Sequence, residues 1–165
     1  MHIKWVQDLG LRSLSIAWKI ILIADLGVLL YGIMVVLVPD VLNEGFRIST
    51  GQNWAVLAST NPRTADYLLL LWRLLGALNV AFAVGAITVA LTSFRRGEMW
   101  SWFALLIGNT IGYGSPIAFD LTVGAIGVFE ELEIILLVLI YVVLGISAKD
   151  VLSKKANRSG QRVVK

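Results

Sequence analysis

The sequence predicts an all-α fold, a transmembrane four-helix bundle with both termini in the cytoplasm. Three observations predict it: four long apolar stretches, a hydrophobic fraction of 58%, and basic residues concentrated in alternate connections. A helix that crosses a bilayer needs about 20 apolar residues, and each stretch meets that length. Soluble domains have only about 45–50% apolar residues. We therefore expect one membrane domain over residues 1–150 and a basic cytoplasmic tail over 151–165.

The positive charges give the predicted orientation, because cytoplasmic connections of membrane proteins are enriched in Lys and Arg. With four spans, most of them fall on one side: Lys4, Arg12, Lys19, Arg95, Arg96, Lys149, Lys154, Lys155, Arg158, Arg162 and Lys165. Arg47 and Arg63 fall on the other side. We therefore expect residues 39–66 and 114–124 outside. The basic tail is interpreted as a topology anchor beside the lipid bilayer, and no nucleic-acid partner is expected.

The first span is predicted over about 16–38 and ends at Pro39-Asp40. Its apolar run is too long for a cleaved signal peptide, and residues 2–12 are expected to form a short interfacial helix. In the outer connection, the apolar segment 54–58 predicts a half-helix on the outer surface or over the bundle. Two interpretations stay open for this segment: an ordered loop with an interfacial tryptophan, or a lid over an outward pocket.

The second span is predicted over about 67–94, after Asn61-Pro62, with Thr64 or Asp66 as its cap. Small or short side chains recur along it with helical spacing, at Gly76, Asn79, Ala83, Ala86 and Ala90. Such stripes let membrane helices approach closely, because packing drives helix association in lipid. We therefore expect this face in the bundle interior.

The third and fourth spans are predicted over about 100–114 and 124–147. The short turn 94–99 makes spans two and three an antiparallel hairpin, and Gly108-x-x-x-Gly112 is a close-packing signature. The segment 112–116, Gly-Tyr-Gly-Ser-Pro, predicts a helix break near Gly114. For the fourth helix, a start near Leu121 and a start near Phe129 both fit the sequence.

Composition excludes several kinds of chemistry. The chain has no cysteine, which excludes thiol redox chemistry, thiolate metal sites and disulfides. His2 is the one histidine, so a histidine-based metal, haem or triad site cannot be built within one chain. We therefore expect no metal site, no catalytic residue and no cofactor within the chain. A non-enzymatic role is favoured over an enzyme.

Polar residues inside the spans give the candidate site. Ionisable groups in a bilayer are costly unless they are paired or hydrated, so each is a functional hypothesis. The predicted ligand-binding residues are Arg73, Asn79, Asn109, Glu130 and Glu133. Arg73 is expected to face Glu130 or Glu133, since arginine binds carboxylates at two points. The group is either a structural ion pair that fixes helix register or the wall of an outward polar pocket, partly covered by the loop around Trp54.

Asp25 lies nearer the middle of the first span. Lys19 is too far along the helix to pair with it directly. Asp25 is either hydrogen-bonded inside the bundle or a site for a proton or a cation.

Four motifs resemble a group of small four-span prokaryotic integral membrane proteins without an assigned activity. They are Thr50-Gly-Gln-Asn-Trp54 with Asn61-Pro62, Arg73-Leu-Leu-Gly76, Phe94-Arg-Arg-Gly-Glu98 and Trp100-x-Trp102. The architecture is also similar to DoxX-like proteins, some of which are quinone-linked membrane subunits. The resemblance implies a multi-pass protein of the prokaryotic plasma membrane and makes a quinone a candidate ligand.

Three functions remain open at this point. The first is a non-enzymatic accessory or structural subunit, with a membrane-protein partner or a second copy of the chain. The second is a binding protein or transporter for a small ligand, lipid or quinone in the outward polar pocket. The third is a quinone-linked redox subunit whose metal or flavin comes from a partner.

Overall fold

In the computed structural model of the protein, the described backbone covers residues 2–124 and 126–160, and the described side chains cover 13–124 and 126–152. Every regular element in these ranges is helical. In chain order they are α1 (His2–Leu37), a 3₁₀ turn (Pro39–Leu42), α2 (Asn43–Thr50), α3 (Trp54–Thr60), α4 (Pro62–Val89), a π turn (Ala90–Phe94), α5 (Met99–Val123) and α6 (Val128–Gly160). The all-α prediction is therefore confirmed.

Three helical segments of the described chain are long and apolar enough to cross a membrane: Ser13–Leu37, Pro62–Phe94 and Val128–Leu152. The sequence predicts four. The remaining long helix, α5, has a lower hydropathy because glycines, Asn109, Ser115 and Pro116 interrupt its apolar residues. Large apolar side chains are exposed along the three segments, for example Ile23, Leu70 and Ile135. Such extended apolar surfaces are typical of helices that face lipid.

The four long helices pack in a ring. Helix α1 contacts α4 and α6, and α5 contacts the same two helices. Helices α4 and α6 therefore lie diagonally across the bundle. The buried core lies between the helices and contains residues from all four, among them Ile21, Ala86, Leu105 and Leu144.

The closest backbone approach involves two glycines of α1 and α4. A Cβ atom built on Gly76 would lie 2.8 Å from the carbonyl oxygen of Gly32, and the converse distance is also 2.8 Å. Gly76, Ala83, Ala86 and Ala90 are buried, as the stripe of small residues predicts. That stripe packs within the chain, because α4 lies against α1.

The glycine pair of α5 receives an aromatic ring. A Cβ atom on Gly112 would lie 2.6 Å from the ring of Phe82, and one on Gly108 would lie 3.7 Å from it. The close-packing signature therefore accommodates a side chain of α4. Phe82 also contacts Tyr113 edge to face, with ring centroids 6.3 Å apart.

The predicted break near Gly114 is wrong, because α5 continues through Pro116 to Val123. Proline is tolerated in membrane helices when neighbouring groups satisfy the backbone. The true stop is Gly124, which has a left-handed conformation (φ 72°) and donates its N–H to Asp120. Glycine in this conformation is the usual helix end.

Helix α6 begins at Val128, in agreement with the later of the two predicted starts. It does not end at 147, because the helix continues to Gly160 and includes much of the predicted tail. Residues 161–165 lie outside the described part. Likewise, α1 is one helix from His2, so residues 2–12 are not separated from the first span.

The connection between α4 and α5 confirms the predicted antiparallel turn. The π turn is marked by the bond from the N–H of Arg95 to the carbonyl of Ala90, 3.1 Å. It directs Phe94 into the core, where the side chain is completely buried. Gly97 (φ 73°) then reverses the chain before α5.

The outer connection forms short helices, and α3 confirms the half-helix predicted at Trp54. Its cap is Asn53, whose side chain accepts a hydrogen bond from the N–H of Ala55. The cap of α4 is Asn61, which accepts from the N–H of Thr64 at 3.3 Å, so the predicted caps Thr64 and Asp66 are wrong. Asn61 is better placed because Pro62 occupies the first helical position.

Candidate functional site

A cavity of about 300 Å³ lies within the bundle, and all four long helices line it. Most of its lining is apolar: Gly27, Val28, Leu30, Met34, Phe82, Gly112, Pro116, Phe129, Leu132 and Leu136. The polar lining residues are Tyr31, Asn79, Tyr113 and Glu133. An apolar recess with a few convergent polar groups, at the lower end of the usual volume range of about 300–1,000 Å³, is the common form of a small-ligand site.

The cavity opens between α1 and α6. Leu30, Phe129 and Leu132 line it, and they are also exposed by 67%, 54% and 55%. The three residues lie in segments that are apolar enough to cross a membrane. The opening is therefore lateral and faces the region that lipid would occupy.

Tyr113 projects into the cavity from α5. Its side chain is only 3% exposed, and its hydroxyl has no hydrogen-bond partner among the described residues. Buried hydroxyls usually have a partner, since leaving one unpaired costs about 1–3 kcal/mol. The Tyr113 hydroxyl is thus available to a bound molecule.

Glu133 supplies the one ionisable carboxyl group of the lining. Its Oε2 atom is buried and has no hydrogen-bond partner among the described residues. Asp120 and Glu130 lie close enough to interact with it electrostatically. None of the described residues that line the cavity is a lysine or an arginine. This side of the cavity is therefore electronegative and suits a cationic or hydrogen-bond-donating group.

Glu130 has a structural role at the start of α6. Its Oε2 accepts a hydrogen bond from the backbone N–H of Gly127 at 2.8 Å. A glutamate at the third helical position that reaches back to the cap residue satisfies an N–H that the helix leaves unpaired. Glu130 is not among the residues that line the cavity.

Arg73 is placed apart from the acidic residues. It is exposed on α4 and forms no salt bridge with a described residue; the salt bridges there are Arg47–Glu44 and Arg96–Glu98. The predicted pairing with Glu130 or Glu133 is therefore wrong. The reason is the ring order, since α4 and α6 lie diagonally across the bundle and α1 and α5 lie between them.

Asn109 is one turn from Tyr113 on α5 but faces a second recess. This recess lies between α4 and α5, and Asn109 lines it with Phe82, Gly85 and Ala104. The Nδ2 group of Asn109 donates to the carbonyl of Leu105 at 2.7 Å. Of the five predicted binding residues, the structure thus brings Asn79 and Glu133 to the central cavity.

Asp25 is completely buried on α1. Neither of its carboxyl oxygens has a hydrogen-bond partner among the described residues. It lies one turn from Val28, on the same face of the helix, and Val28 lines the cavity. The first interpretation, in which Asp25 is hydrogen-bonded inside the bundle, therefore finds no partner among the described protein groups.

The segment around Trp54 does not cover the cavity. Trp54 packs on Trp72 with ring centroids 4.6 Å apart, and both contact Phe46 at 5.4 and 6.1 Å. This aromatic cluster attaches α2 and α3 to α4, and no residue of either short helix lines the cavity. The predicted lid is therefore wrong for the central cavity.

Two of the polar cavity residues, Tyr31 and Tyr113, are absent from the predicted site. Tyr113 lies in the segment 112–116, which the sequence suggests is a helix break, but its position four residues after Asn109 places both on one helix face. Tyr31 carries no comparable signal. Its ring lies 6.0 Å from that of Phe129 across the α1–α6 opening.

No protein-family model, curated protein or solved structure matches this chain. The resemblance to small four-span membrane proteins therefore remains a prediction. Among the described residues, no group of three or more His, Cys, Asp or Glu side chains is arranged to hold a metal ion.

Proposed function

We propose that the protein binds a small membrane-soluble molecule with an apolar body and a cationic head in the central cavity. The observation that carries the proposal is Glu133, a carboxyl group with an unpaired buried oxygen in a cavity whose described lining contains no lysine or arginine. An ammonium group satisfies this oxygen, and Tyr31 and Asn79 supply further polar groups to the same lining. The apolar lining receives the body of the ligand. The lateral opening lets it enter from the bilayer.

The proposal includes a multi-pass arrangement in a prokaryotic plasma membrane with four crossings. Helix α5 is proposed as the fourth, because Met99–Phe119 carries no charge and its 25 residues extend about 37 Å, against a bilayer core of about 30 Å. Both termini are then cytoplasmic, and the basic residues support this orientation. The cavity lies toward the outward end, where α1 ends and α6 begins.

Three matched probes test the ligand class: N,N-dimethyloctylamine, 1-octanol and octanoate, titrated into the protein in lipid nanodiscs. We expect the amine to bind most tightly. Glu133→Gln is expected to weaken amine binding by about tenfold or more, because a hydrogen bond to a charged group contributes about 1.5–3 kcal/mol. Binding of 1-octanol should not change.

The matched control is Glu131→Gln, which alters a neighbouring exposed carboxylate and should leave amine binding unchanged. Equal binding of octanoate and the amine would contradict the proposal. So would an equal effect of the two glutamate substitutions.

A quinone is the second candidate, and the unpaired hydroxyl of Tyr113 favours it. A hydroxyl donates to a quinone carbonyl, whereas a protonated alkylamine has no lone pair to accept that hydrogen bond. Decylubiquinone should then bind, and Tyr113→Phe should weaken it by about three- to tenfold, since a neutral hydrogen bond contributes about 0.5–1.5 kcal/mol. Binding that is indifferent to this substitution would rule out a quinone in this position.

A further inference from the structure

We propose that the recess between α4 and α5 is a second binding site, which takes a neutral apolar molecule with one hydroxyl group, of the class of a long-chain alcohol. The recess has a volume of about 280 Å³. Apolar residues of both helices form its walls, and Asn109 is the one polar side chain of the described lining. The site is distinct from the central cavity and does not rest on the ligand proposed there.

The recess opens to the outside of the bundle across small residues. Ala81 and Gly85 of α4 and Ala104 of α5 line it and are exposed. A Cβ atom built on Gly85 meets nothing within 4 Å. Ala81 and Gly85 belong to the segment Pro62–Phe94, which is apolar enough to cross a membrane. A molecule dissolved in the bilayer can therefore reach the recess directly from the lipid.

The ring of Phe82 forms the wall between the recess and the central cavity. Phe82 is the one described residue that lines both spaces. The ring is packed closely against α5, because a Cβ atom on Gly112 would lie 2.6 Å from it. The ring therefore fills the gap between the two helices and makes the recess a site of its own.

Asn109 gives the recess a free hydrogen-bond acceptor. The side chain is completely buried, so it belongs to the floor of the recess and not to the exposed rim. Its Nδ2 group donates to the carbonyl of Leu105 at 2.7 Å, which fixes the orientation of the amide, because a carbonyl oxygen only accepts. The Oδ1 atom has no partner among the described residues. Since a buried acceptor without a partner is costly, a donor that enters the recess is stabilised there.

The surroundings select a neutral donor. The sequence has no Asp, Glu, Lys, Arg or His between Arg73 and Arg95 or between Glu98 and Asp120, so an ammonium group in the recess would be buried without an opposite charge. Water is also held poorly, because a buried water typically makes about three hydrogen bonds and the described lining has one polar side chain. An alcohol donates its O–H to Oδ1 and places its alkyl chain against the apolar walls.

A second copy of the chain fits the recess less well than an alcohol. Thr88 and Thr92 are exposed on the same face of α4 as Gly85, and both hydroxyls donate to carbonyls of their own helix, at 2.7 and 2.6 Å. On α5, the exposed Thr110 likewise donates to a carbonyl one turn earlier at 2.6 Å. The helix faces beside the recess therefore bring Asn109 no free hydroxyl donor from another copy.

Photolabelling in lipid nanodiscs, with an octanol that carries a diazirine on its chain, tests the site. Mass spectrometry of peptides should find the label within 81–89 and 104–109. 1-Octanol should compete with the label about three- to tenfold better than its isomer 1-methoxyheptane at equal concentration in the bilayer, because the ether has no donor and one neutral hydrogen bond has about this effect. In Asn109→Leu, which replaces the amide by an apolar group of similar size, this advantage should disappear.

Gly85→Leu retains Asn109 but fills the recess, and it should abolish labelling there. Gly145→Leu is the matched control, because a Cβ atom on either glycine meets nothing within 4 Å and Gly145 lies on α6, outside the recess; its labelling should be unchanged. Equal competition by octanol and the ether in the unsubstituted protein would overturn the proposal, whether or not Asn109→Leu folds. So would labelling of the recess that persists in Gly85→Leu.

A second copy as the occupant gives a different result. The unsubstituted protein would then be a dimer without label in the recess, and Gly85→Leu would be a monomer, which would also overturn the proposal. Amine binding and its loss in Glu133→Gln are measured separately, so the alcohol site and the amine site can each fail alone.

Discussion

The carboxyl group of Asp25 is a polar group in apolar surroundings. It is completely buried in α1 without a described hydrogen-bond partner. An unpaired polar group in an interior costs about 1–3 kcal/mol. A residue that lowers stability in this way is expected where function requires it.

Replacing this group should therefore stabilise the fold. We expect Asp25→Val to raise the free energy of unfolding by about 1–3 kcal/mol, because the unpaired oxygens are removed and the side chain is of similar size. Thermal denaturation in detergent measures this. Asp66→Val, at an exposed position of α4, is the control and should change stability by less than about 0.5 kcal/mol. A loss of stability in Asp25→Val would mean that Asp25 is bonded in the folded state.

Two tryptophans offer a matched comparison at the start of α5. The Nε1–H of Trp102 donates to the carbonyl of Leu144 on α6 at 2.9 Å, whereas that of Trp100 donates to Glu98 at 2.8 Å on the surface. Trp102→Phe should lower the free energy of unfolding by about 0.5–1.5 kcal/mol more than Trp100→Phe. Chemical denaturation of both variants gives this difference, and equal losses would show that the interhelical bond contributes nothing.

At the scale of the helices, the crossing of α1 and α4 depends on two glycines. The carbonyl oxygen of each would lie 2.8 Å from a Cβ atom on the other. Backbone atoms cannot move aside as a flexible side chain can. The two helices must therefore separate if either glycine gains a side chain.

Gly32→Ala and Gly76→Ala should each lower the free energy of unfolding by about 1–3 kcal/mol, the usual cost of overpacking. Gly145→Ala on α6 is the control, since nothing lies within 4 Å of its added Cβ atom. Alanine has a better helix propensity by about 1 kcal/mol, so this variant should be neutral or more stable. Denaturation in detergent measures whether each substitution raises or lowers the free energy of unfolding. A Gly76→Ala variant as stable as the unsubstituted protein would contradict the close crossing.

Local sequence patterns predict where the long helices lie in the chain, but they do not predict which helices are neighbours in the bundle. Apolar length finds the long helices, and Pro39 marks the end of α1 because proline cannot donate to the preceding turn. The end of α5 is missed because the sequence argument weighs Pro116 and overlooks Gly124. Asn79 and Glu133 are found as cavity residues because both are polar groups inside apolar stretches. The Arg73 pairing fails because matching depth on two helices says nothing about whether they are neighbours.

At the scale of the whole molecule, the long helices alternate in direction around the ring. At one end of the bundle α1 and α6 are joined by a polar contact, in which Ser13 Oγ donates a hydrogen bond to Asp150. The accessory-subunit hypothesis remains a prediction. The small-residue stripe that favours it packs inside the chain, so it does not provide a surface for a partner.

The orientation and the fourth crossing can be tested together, since the sequence has no native cysteine. In intact cells, an impermeant maleimide should label Gln52→Cys and Thr122→Cys, which lie at the proposed outer end. Lys149→Cys should react only after permeabilisation, because the basic end is expected inside. The unsubstituted protein gives the background. Labelling of Gln52→Cys without Thr122→Cys would show that α5 does not cross.

The π turn before Arg95 limits how the α4–α5 hairpin can vary in length. A π turn holds one more residue than an α-helical turn, as its bond from residue 95 to residue 90 shows. Deleting Thr92 would restore α-helical geometry but rotate the positions before it by about 100° relative to Phe94. Either Phe94 or the Ala83–Ala90 face would then leave the core. Relatives that lack this residue should therefore carry a compensating change at the position of Phe94, a small side chain where the ring is now buried.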